Sequence, residues 1–175
     1  MSFYSIVLFF HITGALGLFI GIGYEWMILY NLQKVTVASS ANEWAGSAKV
    51  LRQIFSISGL LILLSGIYMT IAIKNITAWI IVGFILYLFL SISGSILGAK
   101  KIKSIAQALS SESEKLSEKI LKQIRDPFLH NSLKIRSSLT LGIIFMMTIK
   151  PDWVTTIVTV AVSLIVGYIL TLVTK

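Results

Sequence analysis

Cysteine is absent from this 175-residue chain, which excludes disulfides, thiolate metal sites and cysteine nucleophiles. Acidic residues are scarce, with seven Asp and Glu against fifteen Lys and Arg. No H-x-x-E-H or H-E-x-x-H motif and no carboxylate cluster is present, so the sequence predicts no zinc or di-iron site. Charged residues make up only 13 % of the chain, and the mean hydropathy of +0.89 is too high for a soluble domain.

Five apolar stretches account for most of the chain. A helix needs about 20 apolar residues to cross a hydrocarbon core of ~30 Å, and four of the stretches reach that length unaided. The exception is the stretch at 139–149, which reaches this length only if its helix begins further back, near Pro127. Because lipid offers no hydrogen-bond partners, the expected fold is all-α, a single membrane domain (1–175) with about five spanning helices. The stretches are residues 3–32, 54–73, 78–98, 139–149 and 153–173.

The basic residues indicate an orientation. If five helices alternate across the membrane, every Lys and Arg except Lys74 and Lys150 falls on one side. The positive-inside rule then places the N-terminus outside and the C-terminus in the cytoplasm. This asymmetry accounts for the net charge of +8 without a nucleic-acid partner. The expected surroundings are the lipid bilayer and its anionic headgroups.

Residues 100–126, between the third and fourth stretches, form a cytoplasmic insertion. Apolar residues recur there at helical spacing among lysines and glutamates, which predicts an amphipathic helical hairpin. Ser111 and Glu114 have the S-x-x-E spacing of a capping box, so we expect the second helix to begin there. Asp126 and Pro127 predict the start of the fourth spanning helix. The hairpin caps the bundle or rests on the membrane surface, and a partner-binding module is the alternative. Its apolar stripe comprises Ile102, Ile105, Leu109, Leu116, Ile120 and Ile124.

The first helix carries two ionisable residues on one glycine-rich face. His11 and Glu25 share this face with Gly14 and Gly21, and ionisable groups within a bilayer face protein or water. Glu25 lies about 33 Å from the outer end of the helix, too far from His11 to contact it. We therefore expect Glu25, near the inner boundary, to form an ion pair, and the sequence leaves two partners open, Arg136 and Arg52. A proton-handling or substrate-binding Glu25 is the alternative.

His11 invites two interpretations. Imidazole is an axial ligand of haem iron, and the neighbouring glycines leave room for a flat macrocycle. His130 lies at the cytoplasmic end and cannot share a metal with His11, so a bis-histidine haem is not expected. The other interpretation is that His11 is a hydrogen-bonded residue of helix packing.

Several short motifs resemble a family of small bacterial integral membrane proteins of unknown function. They are His11-Ile12-Thr13-Gly14, Ser65-Gly66-Ile67-Tyr68, and Arg136-Ser137-Ser138 followed by Gly142 and Phe145-Met146-Met147-Thr148-Ile149-Lys150-Pro151. The resemblance spans most of the membrane part and implies a multi-pass protein of the prokaryotic plasma membrane, with no activity attached. The small membrane protoporphyrinogen oxidases and copper-resistance membrane proteins are more distantly similar. They place a histidine early in helix one, but their surrounding basic and aromatic residues are not matched by Tyr4, Phe9 and Phe10, so only His11 carries over.

Two function classes therefore remain open. The first is a membrane protein without a catalytic set, namely a subunit, a scaffold or a small transporter. The second is a haem- or porphyrin-linked redox protein that uses His11, with Glu25 or Arg136 serving propionates or protons. The spacings Gly17-x-x-x-Gly21 and Gly94-x-x-x-Gly98 permit a homo-oligomer or association with another membrane protein.

Overall fold

A computed structural model describes residues 2–74, 76–94, 98, 100–109 and 116–173. Within these ranges every regular element is a helix, in agreement with the all-α expectation. Eight α-helices are described there: α1 (Phe3–Lys34), α2 (Ala38–Gly46), α3 (Ala48–Ile73), α4 (Ala78–Ser93), α5 (Lys100–Leu109), α6 (Glu118–Ile124), α7 (Pro127–Ile149) and α8 (Trp153–Val173).

The ends of the helices follow local sequence signals. Asp126 caps α7 by accepting a hydrogen bond of 2.9 Å from the Phe128 N–H, and Pro127 occupies the first turn, as the sequence predicts. At the other end of the bundle, α3 and α7 each end at a lysine in the left-handed conformation. Their φ angles are 56° at Lys74 and 54° at Lys150, a geometry that ends a helix while each lysine N–H still donates to a carbonyl of the last turn, that of Ile71 or Met146.

Four helical segments have the length and apolar composition of membrane spans. They are Phe3–Lys34, Ala38–Ile73, Glu118–Ile149 and Trp153–Val173. The described part of α4 has 16 residues, or about 24 Å, which is short of a ~30 Å core. The expected stretch runs to residue 98, and after Ser93 the structure describes only Gly94 and Gly98 of it. The count of four spans, with α4 as a shorter apolar helix, is what the described residues support.

Three further helices, α2, α5 and α6, lie outside the apolar stretches of the sequence. α2 lies in the short basic connection between the first two apolar stretches, where the sequence predicted no separate helix. α5 and α6 lie in the 100–126 insertion, and the six apolar residues of its stripe are buried or half-buried. Ser111 and Glu114, the expected start of the second insertion helix, lie outside the described residues.

One end of the molecule has a hydrophobic core of its own, which we call the cap. The cap combines α2, α5 and α6 with the last turns of α1 and the first turns of α3 and α7. The apolar residues at the centre of the cap are nearly inaccessible, whereas the spans leave most of their side chains exposed. The centre of the cap core comprises Ile28, Leu32, Ala41, Ala45, Leu51, Ile102, Ile105, Ile124, Leu129 and Leu133.

Between the cap and the opposite end, the spans form two units. In the first unit α1 packs along α3, and a Cβ added to Gly14 would lie 3.0 Å from the Ser58 carbonyl oxygen. In the second unit α7 packs along α8, and α4 lies against both. The Ser138 hydroxyl donates a hydrogen bond of 2.6 Å to the Ser163 carbonyl, which shows how closely α7 and α8 approach.

The glycine face of α1 is buried as expected, with Gly14, Gly21 and Glu25 all inaccessible. A Cβ on Gly21 would lie 2.7 Å from the Phe55 ring, whereas the Ile20 side chain is exposed. On α3 the buried positions follow the seven-residue spacing of Leu51, Ser58 and Ser65, and Arg52 and Ser56 are exposed.

Candidate functional site

An ion pair between Glu25 and Arg136 links the two units of the bundle. The Arg136 Nη1 donates to Glu25 Oε2 at 3.0 Å, and Nη2 donates to Oε1 at 2.6 Å. Both residues are almost inaccessible, at 1 % and 5 % relative exposure. A bidentate arginine–carboxylate contact at this depth satisfies both carboxylate oxygens and holds the planar groups in one orientation.

The neighbouring residues reinforce this contact. Trp26 follows Glu25 on α1, and its indole Nε1 donates to the Ser137 hydroxyl at 3.0 Å. Ser137 follows Arg136 on α7, so two consecutive residues of one helix bind two consecutive residues of the other. The Ser137 hydroxyl in turn donates to the Leu133 carbonyl. We call Glu25, Trp26, Arg136 and Ser137 the inter-unit latch.

Two glycines that follow α4 in sequence lie against the latch. A Cβ added to Gly98 would lie 2.5 Å from Glu25 Oε1, and one added to Gly94 would lie 3.2 Å from the Arg136 Nη1. The glycines therefore let the backbone at these two positions approach the charged groups, where any side chain would intrude. The Arg136 Nε is buried without a hydrogen-bond partner, so the guanidinium is satisfied on its two terminal nitrogens only.

Of the two partners that the sequence left open for Glu25, the structure selects Arg136. Arg52 lies on the exposed side of α3. Sequence reasoning did not find Trp26, Ser137 or the contact of Gly98. Trp26 and Ser137 directly follow Glu25 and Arg136 in the sequence, and this adjacency could have identified them. The approach of Gly98 depends on tertiary packing, for which the sequence has no local signal.

His11 hydrogen-bonds across the α1–α3 contact, where its Nδ1 lies 2.9 Å from the Ser65 hydroxyl oxygen. The Ser65 hydroxyl also contacts the Leu61 carbonyl, and a hydroxyl that donates its proton there accepts from the His11 Nδ1–H. The neutral ring of that tautomer has its lone pair on Nε2. His11 is a hydrogen-bonded residue of helix packing in either tautomer.

The other histidine lies at the cap end. The His130 ring packs edge-on against Trp26, with ring centroids 6.2 Å apart. Trp26 lies 15 residues after His11 on the same helix, about 22 Å further along its axis, so the two imidazoles cannot bind one ion. Within the described ranges no group of three or more His, Asp or Glu side chains has the arrangement of a metal site.

Comparison with known proteins identifies no relative: no family model, no curated protein and no solved structure matches this chain. The latch, the His11–Ser65 bond and the cap are therefore interpreted from their own geometry.

Proposed function

We propose that this chain is a non-enzymatic, multi-pass membrane protein that serves as a subunit or scaffold. The carrying observation is the inter-unit latch, in which the most buried charged groups of the described chain neutralise each other instead of facing an open site. A bidentate ion pair that lies against Gly94 and Gly98 holds helices together. A transport pathway would instead need a polar lining that a substrate can reach. A small transporter is the variant of this proposal that the experiment below must exclude.

The proposed placement is a prokaryotic plasma membrane, with five spans and the cap in the cytoplasm. In this arrangement α4 is the third span and the 100–126 insertion is a cytoplasmic hairpin. The basic residues of the cap support this orientation, since positive residues are retained on the cytoplasmic side. The abundant exposed apolar side chains of α1, α3 and α8 support contact with lipid or with another membrane protein.

A haem- or porphyrin-linked redox protein is the second candidate, because of the His11 tautomer. A metal-ligating histidine donates from one ring nitrogen to a second group and binds through the other, and the Ser65 contact leaves Nε2 available in that way. Haem would supply one-electron chemistry. His11 would be its single protein ligand, because His130 is out of reach. Arg136 is engaged by Glu25, which lies 14 residues after His11 on α1, about 21 Å further along its axis, so Arg136 would not serve the propionates of this haem.

Extraction in mild detergent tests both candidates. A subunit or scaffold is expected to migrate in native gels with a mass well above 19.3 kDa plus its detergent, and to be colourless. A Soret band that disappears in His11→Ala and persists in the matched variant His130→Ala would instead establish the second candidate.

Proteoliposomes test the transporter variant. If Glu25 has only a structural role, a pH-sensitive dye inside the vesicles records the same proton leak for the wild-type protein and for Glu25→Gln. A flux that depends on Glu25 and is unaffected by Arg52→Gln would contradict the scaffold and favour transport.

A further inference from the structure

A groove of about 380 Å³ opens at the end of the bundle opposite the cap, between the α3–α4 and α7–α8 connections. The α3–α4 side contributes Thr77, where α4 begins, and the α7–α8 side contributes Lys150, Asp152 and Trp153. This volume lies within the range of about 300–1,000 Å³ that is typical of small-ligand sites. Neither the latch nor His11 forms part of it.

The groove contains groups of both charges. Lys150 ends α7 in the left-handed conformation, and its Nζ lies 6.0 Å from the centre of the Trp79 ring. Asp152 begins α8, where one carboxylate oxygen accepts a hydrogen bond of 2.9 Å from the Thr155 N–H. An anionic group and a cationic group of one ligand could therefore each meet a side chain of opposite charge.

A hydroxyl group in the same groove has no partner. The Thr77 Oγ1 is buried and makes no hydrogen bond, and Thr77 does not cap α4 with its side chain. Because the oxygen has no accessible surface in this rotamer, a ligand atom reaches it only when the Thr77 side chain rotates about χ1 towards the groove that it lines. The hydrogen bond formed there would remove the cost of a buried hydroxyl without a partner. The free N–H groups of the first turn of α4 lie at the same point and favour a negative group.

The surroundings of the groove indicate where the ligand comes from. The apolar spans begin and end at this level, and Trp79 and Trp153 occupy the depth at which aromatic residues meet lipid headgroups. Directly below Trp153, the α8 side chains Val154 and Ile157 are 70 % and 62 % exposed. A ligand with acyl chains could place them along this surface while its polar group enters the groove.

We propose that the groove binds the headgroup of a phospholipid whose phosphate diester carries a primary ammonium group, from the leaflet opposite the cap. The phosphate contacts Lys150, the Thr77 hydroxyl and the start of α4, and the ammonium group contacts the Asp152 carboxylate. This assignment requires the membrane placement but is independent of the scaffold role, of the latch and of His11.

Native mass spectrometry of the full chain tests the assignment, after reconstitution in nanodiscs with equal amounts of phosphatidylethanolamine, phosphatidylcholine and phosphatidylglycerol. The wild-type protein is expected to retain phosphatidylethanolamine about tenfold over the other two lipids, as expected for one additional charge-assisted contact. Lys150→Gln and Thr77→Val should each abolish most of this preference. Equal retention of the three lipids by the wild-type protein would overturn the proposal.

Lys74→Gln is the matched control, because Lys74 is the corresponding left-handed lysine at the end of α3 and does not line the groove. It is expected to leave lipid retention unchanged, and a loss equal to that of Lys150→Gln would reduce the effect to general surface charge and overturn the assignment.

Asp152→Asn separates the two charges of the ligand. Asparagine caps a helix as well as aspartate does, so the fold is retained while the negative charge is lost. The expected result is a shift of retention from phosphatidylethanolamine towards phosphatidylglycerol, and unchanged selectivity would contradict the ammonium contact. A competition experiment with soluble glycerophosphoethanolamine separates the two sources of this headgroup. If it displaces the bound lipid at a concentration equal to that of the lipid, the groove binds a free phosphate ester rather than a membrane lipid.

Discussion

At the scale of single residues, the Glu25–Arg136 pair of the latch is the contact whose loss is expected to lower the free energy of unfolding most. Glu25 and Arg136 are out of reach of water, so removing one of them leaves the other charged and unpaired in a poorly hydrated site. Breaking a buried pair in this way costs about 3–5 kcal/mol, whereas exposed pairs contribute less than about 1 kcal/mol. The interaction between the two residues can therefore be measured.

We predict that Glu25→Gln and Arg136→Gln each lower the thermal stability of the protein in detergent, and that the double variant is less destabilised than the sum of the two. The reason is that each single change leaves a buried partner unpaired, and the second change removes it. Arg52→Gln is the matched control: it should be nearly silent, and its effect should add to that of Glu25→Gln. Additivity in the Glu25/Arg136 cycle would argue against the structural pair.

Gly98 should tolerate no side chain. In Gly98→Ala the new Cβ would meet the Glu25 carboxylate, which cannot move without breaking its bonds to Arg136. We expect a loss of about 1–3 kcal/mol in the free energy of unfolding. Gly23→Ala is the control, because a Cβ there has nothing within 4 Å and alanine favours a helix by about 1 kcal/mol. Equal losses of stability at both sites would contradict the contact between Gly98 and Glu25.

At the scale of elements, α7 and α8 approach as closely as backbones allow. A Cβ on Gly167 would lie 3.0 Å from the Cα of Ile135, a backbone atom that cannot rotate away. Gly167→Ala is therefore predicted to lower the thermal stability of the protein, whereas Ile165→Ala, at a 57 % exposed position of the same helix, should change it little. A melting temperature that is the same in both variants would refute this packing.

The start of α8 depends on pH. The hydrogen bonds from Thr155 hold the pKa of the exposed Asp152 carboxyl below its usual value of 3.8. Because the folded state lowers this pKa, the cap stabilises α8 above about pH 4, and the contribution disappears as the pH falls through the lowered pKa. Melting curves between pH 6 and pH 2.5 should show a smaller acid-induced loss for Asp152→Asn than for the wild-type protein. Parallel curves for the two proteins would contradict the cap.

Element by element, the sequence predicted what depends on local pattern. The apolar stretches, the start of α7 at Pro127 and the buried stripe of the insertion follow from periodicity and capping chemistry. The sequence did not predict α2, because nine residues of weak amphipathicity carry little signal. Nor did the sequence predict which face of α3 is buried. That face is determined by the packing of α3 against α1, which brings Ser58 close to Gly14 and Gly17, and such complementarity between helices is not encoded in either segment alone.

At the scale of the molecule, the two units of the bundle contact each other less than the helices within each unit do. Tyr87 bridges them by donating to the Gly59 carbonyl at 2.8 Å, and the latch and the cap supply the other contacts noted above. Because lipid solvates apolar side chains as well as protein does, polar contacts decide how firmly such units associate.

Spin labels attached to introduced cysteines can measure this association, and no native cysteine competes for the label because the chain has none. We predict that labels on cysteines introduced at the exposed positions Ile20 of α1 and Leu141 of α7 give a narrow distance distribution that broadens in Glu25→Gln. The same label pair in Arg52→Gln should retain the narrow distribution. Identical distributions in all three proteins would mean that the cap alone holds the units.

The separation of the latch residues along the chain determines when the ion pair can form. Glu25 and Arg136 are 111 residues apart, and ribosomes add about 5–20 residues per second. Roughly 6 to 22 s therefore pass between the synthesis of Glu25 and that of Arg136, and the carboxylate lacks its arginine partner for that time. The latch cannot join the two units before α7 has been synthesised, so α1, α3 and α4 must all be in place first.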